Sequence, residues 1–184
     1  MKTQTNQEKV LDIFLDDPLE KFHLREIARM TGLNPNTVLN ISGKLVEEEL
    51  LLKEKKRHVV EFSANVNERF RELKIVRNLG RIYDSGLVNY LNKHFKNPRA
   101  IVLFGSFRKG EDINGSDIDI AIENNGFEKY EIEKLKGLEG FEKEFKKEIE
   151  IHLFKKGKVD INLFNSILNG IILSGFLEVN KNEL

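Results

Sequence analysis

The sequence predicts an α+β protein with a mainly helical N-terminal part and a C-terminal mixed sheet with flanking helices. Before residue 50, apolar residues recur at steps of three or four, which is typical of amphipathic helices. Near 118–122 and 148–154 they alternate with polar residues, which is typical of strands. We therefore expect a first domain at 1–65, a helical connector at 66–97 and a second domain at 98–184.

The composition is that of a soluble globular protein and excludes several classes of function. The 184 residues carry a formal net charge of zero, so no global field attracts the protein to nucleic acid or to a membrane surface. The absence of cysteine excludes disulfides, thiolate catalysis and cysteine zinc sites. No apolar run approaches the length of about 18 residues that spans a membrane, and the polar N-terminus does not resemble a signal peptide. We predict a cytoplasmic protein without a membrane partner.

The first domain begins with three predicted helices. Two of them cover 7–15 and 25–31, and the second is expected to stop at Gly32. The third starts from Asn34, a good N-cap, with Pro35 at the first helical position. Its predicted apolar side consists of Val38, Leu39, Ile41, Leu45 and Val46. Two helices joined by a tight turn with glycine, the second with a polar outer face, form a helix-turn-helix arrangement.

Two apolar runs, 50–52 and 59–62, flank the basic stretch 53–58 and predict a β-hairpin. With this hairpin as the wing, the first 65 residues resemble the winged helix-turn-helix domains of bacterial and archaeal regulators. The functional interpretation is binding to a DNA operator through the third helix and the wing. The candidate DNA-binding residues are Asn36, Thr37, Asn40, Lys44, Lys55, Lys56 and Arg57. The alternative is a protein-interaction or dimerisation module, and a homodimer is expected because winged helices usually bind two half-sites.

The connector carries an apolar pattern that predicts helix from Asn65 to His94. Gly80 is a candidate interruption, and Asn97-Pro98 marks the boundary before the second domain. We assign no chemistry to this segment, which is interpreted as a linker or a dimer surface.

The most informative stretch is 100–122. The apolar strand 100–104 ends abruptly at Gly105-Ser106, a polar loop with glycine follows, and Ser116 opens a second strand. Gly105 leaves the backbone accessible to a phosphate, and the hydroxyl and amide of Ser106 can donate to that phosphate.

The second strand carries two carboxylates at alternate positions. Asp117 and Asp119 share one face with Ala121, at a spacing of roughly 6–7 Å between the α-carbons of the two acids. That spacing suits a small, hard cation such as Mg²⁺, which proteins typically hold with one or two carboxylates plus substrate phosphates.

This stretch resembles the signature of the DNA polymerase beta-type nucleotidyltransferase superfamily. The matching pattern is Gly105-Ser106, ten intervening residues and then Asp117-Ile118-Asp119. The resemblance extends over 100–154 and is closest to the minimal nucleotidyltransferases, a branch that includes antitoxins of two-gene toxin systems. Many of these proteins carry a basic residue directly after Gly-Ser. Here that position is Phe107, and Arg108 and Lys109 follow it.

The resemblance implies a third carboxylate on the strand predicted at 148–154. Glu150, between two isoleucines, is the preferred candidate, and Glu148 at the end of the strand is the alternative. His152 shares their face, but it is interpreted as a neighbour of the site or a surface residue because Mg²⁺ prefers oxygen ligands.

The resemblance also implies a polymerase-beta-like fold and its chemistry. Asp117, Asp119 and Glu150 would be the catalytic and metal-binding residues, with Mg²⁺ or Mn²⁺ as the cofactor. The nucleotide, ATP or another NTP, would contact Gly105, Ser106, Arg108, Lys109 and Ser116. The acceptor would be a small molecule or a hydroxyl on a partner protein such as a cognate toxin. One alternative is a transcription regulator whose second domain senses nucleotide without chemistry, and another is an interaction module.

The remaining apolar patterns predict one helix at 130–146 and another that starts at Asp160 or Asn162 and ends at Gly175. The segment 176–179 is expected to form an edge strand. The first of these is amphipathic, and the apolar stripe of the second is interpreted as core material.

Overall fold

The computed structural model describes residues 4–56 and 59–178. The chain divides into two compact units, Met1–Lys74 and Ile75–Leu184, and the division lies inside a long helix. Each unit has a hydrophobic core of its own. Among the described residues, no helix is both long enough and apolar enough to cross a membrane.

The first unit combines three helices with a small antiparallel sheet. Its elements are α1 Asn6–Asp16, β1 Lys21–His23, α2 Leu24–Thr31, α3 Pro35–Glu47, β2 Leu51–Lys56 and β3 Val59–Ala64. The strand order is β1-β3-β2, and the pairing of β2 with β3 confirms the predicted hairpin. The helices and the sheet enclose a core that contains Val10, Phe14, Ile27, Val38, Leu45, Leu50, Phe62 and Phe70.

Local signals at the helix ends of this unit act as predicted. The Asn34 side chain accepts a hydrogen bond from the Asn36 amide at 2.9 Å, and Pro35 is the first residue of α3. Helix α2 ends at Gly32, whose φ of 69° is the left-handed conformation that favours glycine. Leu39 was expected on the apolar side of α3 but is 36% exposed, so that prediction is wrong. Ser42, one turn after Val38, occupies the buried position instead.

The second unit is built on a five-stranded sheet. Its elements, which begin with a helix shared between the two units, are α4 Glu68–Asp84, α5 Leu87–His94, β4 Ala100–Phe104, α6 Gly105–Lys109, β5 Ile118–Glu123, β6 Glu131–Glu133, α7 Glu139–Phe145, β7 Ile149–Phe154, α8 Ile161–Leu168 and β8 Ile171–Gly175. The strand order is β6-β7-β5-β4-β8. Only β5 and β7 are parallel, which makes this the mixed sheet of the predicted α+β class.

Both faces of this sheet are buried. One face packs against α4, α5 and α7 through the alternate strand residues Ile101, Leu103, Ile118, Ile120, Ile122, Ile149, Ile151 and Leu153. The other face packs against Phe164 and Ile167 of α8 through Ala100, Val102, Phe104, Ala121 and Phe154. The carboxylate-bearing positions of β5 and β7 alternate with the isoleucines, so they lie on the face that α8 covers.

The segment 130–146 is not the single helix that its apolar spacing predicts. Residues 131–133 form β6 at the edge of the sheet, paired with β7, and only Glu139–Phe145 is helical. Gly137 has a φ of 96° between the two elements. Leu135, Leu138 and Phe145 are nevertheless buried, because a strand, a turn and a short helix bury the same apolar residues.

Other boundaries also differ from the prediction. Helix α4 continues through Gly80, and the break comes at Gly86 with a φ of 79°. Helix α8 ends at Leu168, and β8 lies where the end of that helix was expected. A Cβ at Gly170 would clash with the Val102 side chain and the Leu103 carbonyl oxygen, so glycine permits this tight return of the chain to the sheet. No strand forms at 176–178, and residue 179 lies outside the described residues.

A buried polar network fixes the loop between α6 and β5. Asp112 is 2% exposed and accepts a hydrogen bond from Asn78 Nδ2 at 2.9 Å. Lys147 Nζ lies 3.3 Å from Asp112 Oδ2 and donates to the Ile113 carbonyl oxygen at 2.6 Å. The Ile113 amide in turn donates to Ser116 Oγ at 3.0 Å. The loop that leads into β5 is therefore held from both sides.

We expect Lys147→Met to lower the free energy of unfolding by about 3 kcal/mol, because it removes one charge of a buried ion pair and leaves the other in place. Urea denaturation measures this loss. Lys134→Met is the matched control, since Lys134 pairs with Glu148 at 2.9 Å on the surface, where both side chains are mostly exposed. The control should change stability little. Equal losses in the two variants would show that burial of the Lys147 pair is unimportant.

Candidate metal and nucleotide site

Asp119 and Glu150 lie side by side on neighbouring strands. Each is the second residue of its strand, and the parallel register of β5 and β7 pairs them directly. Phe104, the last residue of β4, pairs with Asp119 from the other side. The alternative third carboxylate, Glu148, precedes β7, is 66% exposed and is bound to Lys134. The register therefore supports Glu150 rather than Glu148 as the partner of Asp119.

His152 completes a group of three possible ligands with these two carboxylates. Its Nε2 lies 3.4 Å from Asp119 Oδ1 and 3.7 Å from Glu150 Oε2. One ligand atom from each of the three side chains lies within 4.8 Å of the others, the one such group in the part of the chain that the structure describes. His152 is 6% exposed, so the alternative that it is a surface residue is wrong.

The His152 ring is held by two aromatic side chains. Its Nδ1 lies 2.8 Å from the Tyr130 hydroxyl, and the two rings are stacked with centroids 6.1 Å apart. Phe104 contacts the ring edge to face at 4.9 Å. Burial raises the pKa of the Tyr130 hydroxyl above its ordinary value, and the charges of Glu150 and Asp119 raise this pKa further.

Gly105 brings the backbone against the Asp119 carboxylate. It is the first residue of α6 and has a φ of 70°. A Cβ at this position would overlap the Asp119 carboxylate, so only glycine fits here without displacing that side chain. The predicted polar loop after Gly105 thus begins as a short helix, which the sequence did not reveal.

An open cleft of about 470 Å³ lies beside Asp119. It is lined by Phe104, Gly105, Arg108, Lys109, Asp119, Leu163, Asn165, Ser166 and Asn169. The predicted Arg108 and Lys109 are thereby brought to the same cleft as Asp119. Arg108 Nε is buried and has no hydrogen-bond partner among the described residues. The cleft therefore combines positive charge, a carboxylate and the neutral polar residues of α8.

Residues 86–175 match the polymerase beta nucleotidyltransferase family model. The match covers the sheet from β4 to β8, both carboxylates and the whole cleft. It supports a nucleotidyltransferase domain in this part of the chain, and through the family it supports an NTP substrate and a divalent cation. The first unit lies outside the match. No curated protein and no solved structure matches the chain.

Within the second unit, the other predicted site residues have different positions. Asp117 lies just before β5 and is not a member of the three-ligand group. The Ser116 hydroxyl accepts the Ile113 amide and so helps to close the loop. Ser106 is half-buried in α6. The structure thus brings Gly105, Arg108, Lys109 and Asp119 to one cleft and pairs Asp119 with Glu150, whereas Ser106, Ser116 and Asp117 do not line that cleft.

Two groups of residues at the site were not assigned a role from the sequence. His152 and Tyr130 form one group. The strand alternation that puts Glu150 and His152 on one face could have indicated that the histidine lies at the site. Asn165 and Ser166 of α8 and Asn169, the C-cap of that helix, form the other group. These polar residues recur at helical spacing opposite the apolar stripe, which is the pattern of a helix with one buried and one accessible side.

In the first unit, the predicted DNA-binding residues occupy the surface of α3 and β2. Asn36, Asn40, Lys44 and Lys55 are exposed, and Thr37 is half-buried. Lys56 ends β2, but its side chain lies outside what the structure describes, as does the whole of Arg57. DNA binding by these residues stays a prediction.

Proposed function

We propose that the chain is a metal-dependent nucleotidyltransferase that moves a nucleoside monophosphate from an NTP, ATP by default, to an acceptor hydroxyl. The observation that carries the proposal is the in-register pair Asp119 and Glu150 beside a cleft that also contains Arg108 and Lys109. An acidic pair for a cation and basic residues for phosphates are the two components that phosphate transfer requires.

The residues present fit a divalent cation. Asp119 and Glu150 are close enough to repel each other, and a cation between them removes that cost. Carboxylate oxygens are the preferred ligands of Mg²⁺ and Mn²⁺. Asp117, which lies just before Ile118, is proposed as an additional ligand. When bound, the cation neutralises the charge of the triphosphate and polarises its phosphoryl oxygens.

The protein's own groups would orient the reactants and move one proton. The acceptor oxygen forms a bond to the α-phosphorus, and the bond between the α-phosphorus and the oxygen that bridges it to the β-phosphorus breaks. Pyrophosphate leaves, and Glu150 accepts the proton of the attacking hydroxyl. Arg108 and Lys109 meet the charge on the departing pyrophosphate, while the backbone at Gly105 and Ser106 contacts the phosphates.

The polar residues of α8 would contact the nucleoside. Asn165, Ser166 and Asn169 line the same cleft as Arg108, so a nucleotide whose phosphates meet the cations brings its sugar or base to α8. This arrangement assigns the helix a binding role in addition to its place in the core.

Arg108→Met should raise the KM for the NTP by about 10- to 100-fold, since a hydrogen bond to a charged group contributes about 1.5–3 kcal/mol. Steady-state kinetics with varied nucleotide concentration measures the change. Arg99→Met is the matched control, because Arg99 is paired with Glu178 at 2.8 Å and does not line the cleft. A KM in Arg108→Met equal to that of the control would exclude Arg108 from phosphate binding.

For the first unit we propose DNA binding, and through it control of the protein's own operon. The order α1-β1-α2-α3-β2-β3, with an antiparallel sheet β1-β3-β2, supports a winged helix-turn-helix domain. The proposed acceptor is a hydroxyl on a small molecule or on a partner protein such as a cognate toxin, as in the antitoxin-like members that the sequence resembles. The proposed assembly is a homodimer, which would present two copies of α3 to two half-sites.

The proposal is tested by a labelling experiment with the purified protein. The protein is incubated with Mg²⁺ or Mn²⁺ and with each of four α-labelled NTPs in turn, and host lysate supplies the acceptor. We expect label on a protein or metabolite with the wild type and no label with an Asp117→Ala, Asp119→Ala double variant. This result would identify the activity and the nucleotide that serves as donor. Nucleotide that is bound but not consumed would contradict the transferase and favour a regulator that senses nucleotide. That outcome predicts that nucleotide changes the affinity for DNA.

A further inference from the structure

The Nε2 atom of His152 is a buried polar atom without a hydrogen-bond partner among the described residues. It faces Asp119 Oδ1 and Glu150 Oε2 at 3.4 Å and 3.7 Å, both beyond the usual hydrogen-bond length of about 2.7–3.2 Å. Leaving such an atom unsatisfied costs about 1–3 kcal/mol. A ligand placed between the three side chains would remove that cost.

The rest of the His152 ring is fixed as in a metal ligand. A metal-bound histidine generally donates the N–H of its other ring nitrogen to an oxygen, which sets the tautomer and the ring orientation. Here His152 Nδ1 lies 2.8 Å from the Tyr130 hydroxyl oxygen, which can accept that N–H. In this tautomer Nε2 has a free lone pair, directed at the space that Asp119 and Glu150 also face.

We propose that His152 is a further protein ligand of the divalent cation, beside Asp119 and Glu150, and that it makes this position selective for a transition metal such as Co²⁺ over Mg²⁺. The inference rests on the proposed function, because it concerns the cation of the same site. Carboxylates alone suit Mg²⁺, whereas an imidazole nitrogen favours the later divalent metals of the first transition row. One nitrogen in the ligand set therefore changes which metal binds best.

The test is calorimetric titration of Mn²⁺, Co²⁺ and Mg²⁺ into the full-length protein without nucleotide or acceptor. His152→Ala should lower the affinity for Mn²⁺ and Co²⁺ by at least about 10-fold, since even the loss of a group that supports a ligand costs about 10- to 100-fold. The affinity for Mg²⁺ should change much less. Tyr130→Phe should weaken Mn²⁺ binding in the same direction, because it removes the acceptor of the Nδ1 proton. His94→Ala is the control, since His94 is an exposed histidine of the same unit.

A second measurement uses the unmodified protein and does not depend on the folding of a variant. The ring nitrogens of His152 are followed by ¹⁵N nuclear magnetic resonance while diamagnetic Zn²⁺ is added. We expect the Nε2 resonance to move to the position of a metal-bound nitrogen while Nδ1 keeps its proton. An Nε2 that stays protonated in the Zn²⁺-saturated protein, or unchanged Mn²⁺ and Co²⁺ affinities in a folded His152→Ala variant, would overturn the proposal.

The two proposals can fail separately. A cation bound through His152 by a protein that transfers no nucleotide would uphold the ligand assignment and contradict the transferase. Transfer of nucleotide with metal affinities that do not depend on His152 would do the reverse.

Discussion

Asp119→Asn is expected to reduce kcat/KM for nucleotidyl transfer by at least about 10³-fold, the upper range for loss of one electrostatic contact to a reacting group. The substitution keeps the shape of the side chain and removes the charge. Asp119 lines the cleft, contacts the Gly105 backbone and is paired with Glu150, so its charge lies at the centre of the proposed cation site. Transfer of label from an α-labelled NTP measures the effect, with circular dichroism to confirm the fold.

Glu148→Gln is the matched control for this substitution. It removes one carboxylate charge just before β7, but Glu148 is exposed and bound to Lys134. Activity close to that of wild type is expected. If Asp119→Asn kept the activity of Glu148→Gln while both proteins were folded, the proposed mechanism would be wrong.

Gly105→Ala should lose both stability and activity. A non-glycine residue held at a φ near 70° costs about 1–3 kcal/mol, and here the new Cβ would also displace the Asp119 carboxylate. We expect the free energy of unfolding to fall by at least that amount in urea denaturation. We expect transfer activity to fall nearly as far as in Asp119→Asn, because the displaced carboxylate can no longer face Glu150.

Gly157→Ala separates the two effects of this substitution. Gly157 has almost the same backbone conformation, with a φ of 72°, but no atom lies within 4 Å of a Cβ built there. The control should therefore show the backbone cost without the loss of activity. Equal activity in Gly105→Ala and Gly157→Ala, measured at a temperature where both are folded, would contradict a role for the contact between Gly105 and Asp119.

Features that depend on neighbouring residues could be predicted from the sequence. The strand Ala100–Phe104 follows from a continuous apolar run, and β5 and β7 follow from alternation. The cap at Asn34 and the stop at Gly32 are local chemistry. Periodicity alone could not predict that Glu150 lies beside Asp119. That prediction came from the spacing of Gly-Ser and Asp-x-Asp, which resembles a known superfamily.

Features that depend on distant residues could not be predicted in this way. Residues 131–133 and 171–175 become strands because the sheet has open edges beside β7 and β4, and their apolar spacing fits a helix equally well. The surroundings of His152 are formed by Tyr130, Phe104 and Asp119, which are distant from it in the sequence. A binding role for the polar side of α8 could not be predicted either, because only the fold brings it to the same cleft as Arg108.

The most direct test of nucleotidyl transfer compares ATP labelled at the α-phosphate with ATP labelled at the γ-phosphate in the same reaction. Purified full-length protein would be incubated with Mg²⁺ or Mn²⁺ and the acceptor fraction that takes up label. The proposed reaction predicts that the α-label appears on the acceptor and the γ-label in pyrophosphate. A γ-label on the acceptor, or in orthophosphate from the earliest time point, would contradict it, because phosphoryl transfer or hydrolysis would then be the chemistry of this site.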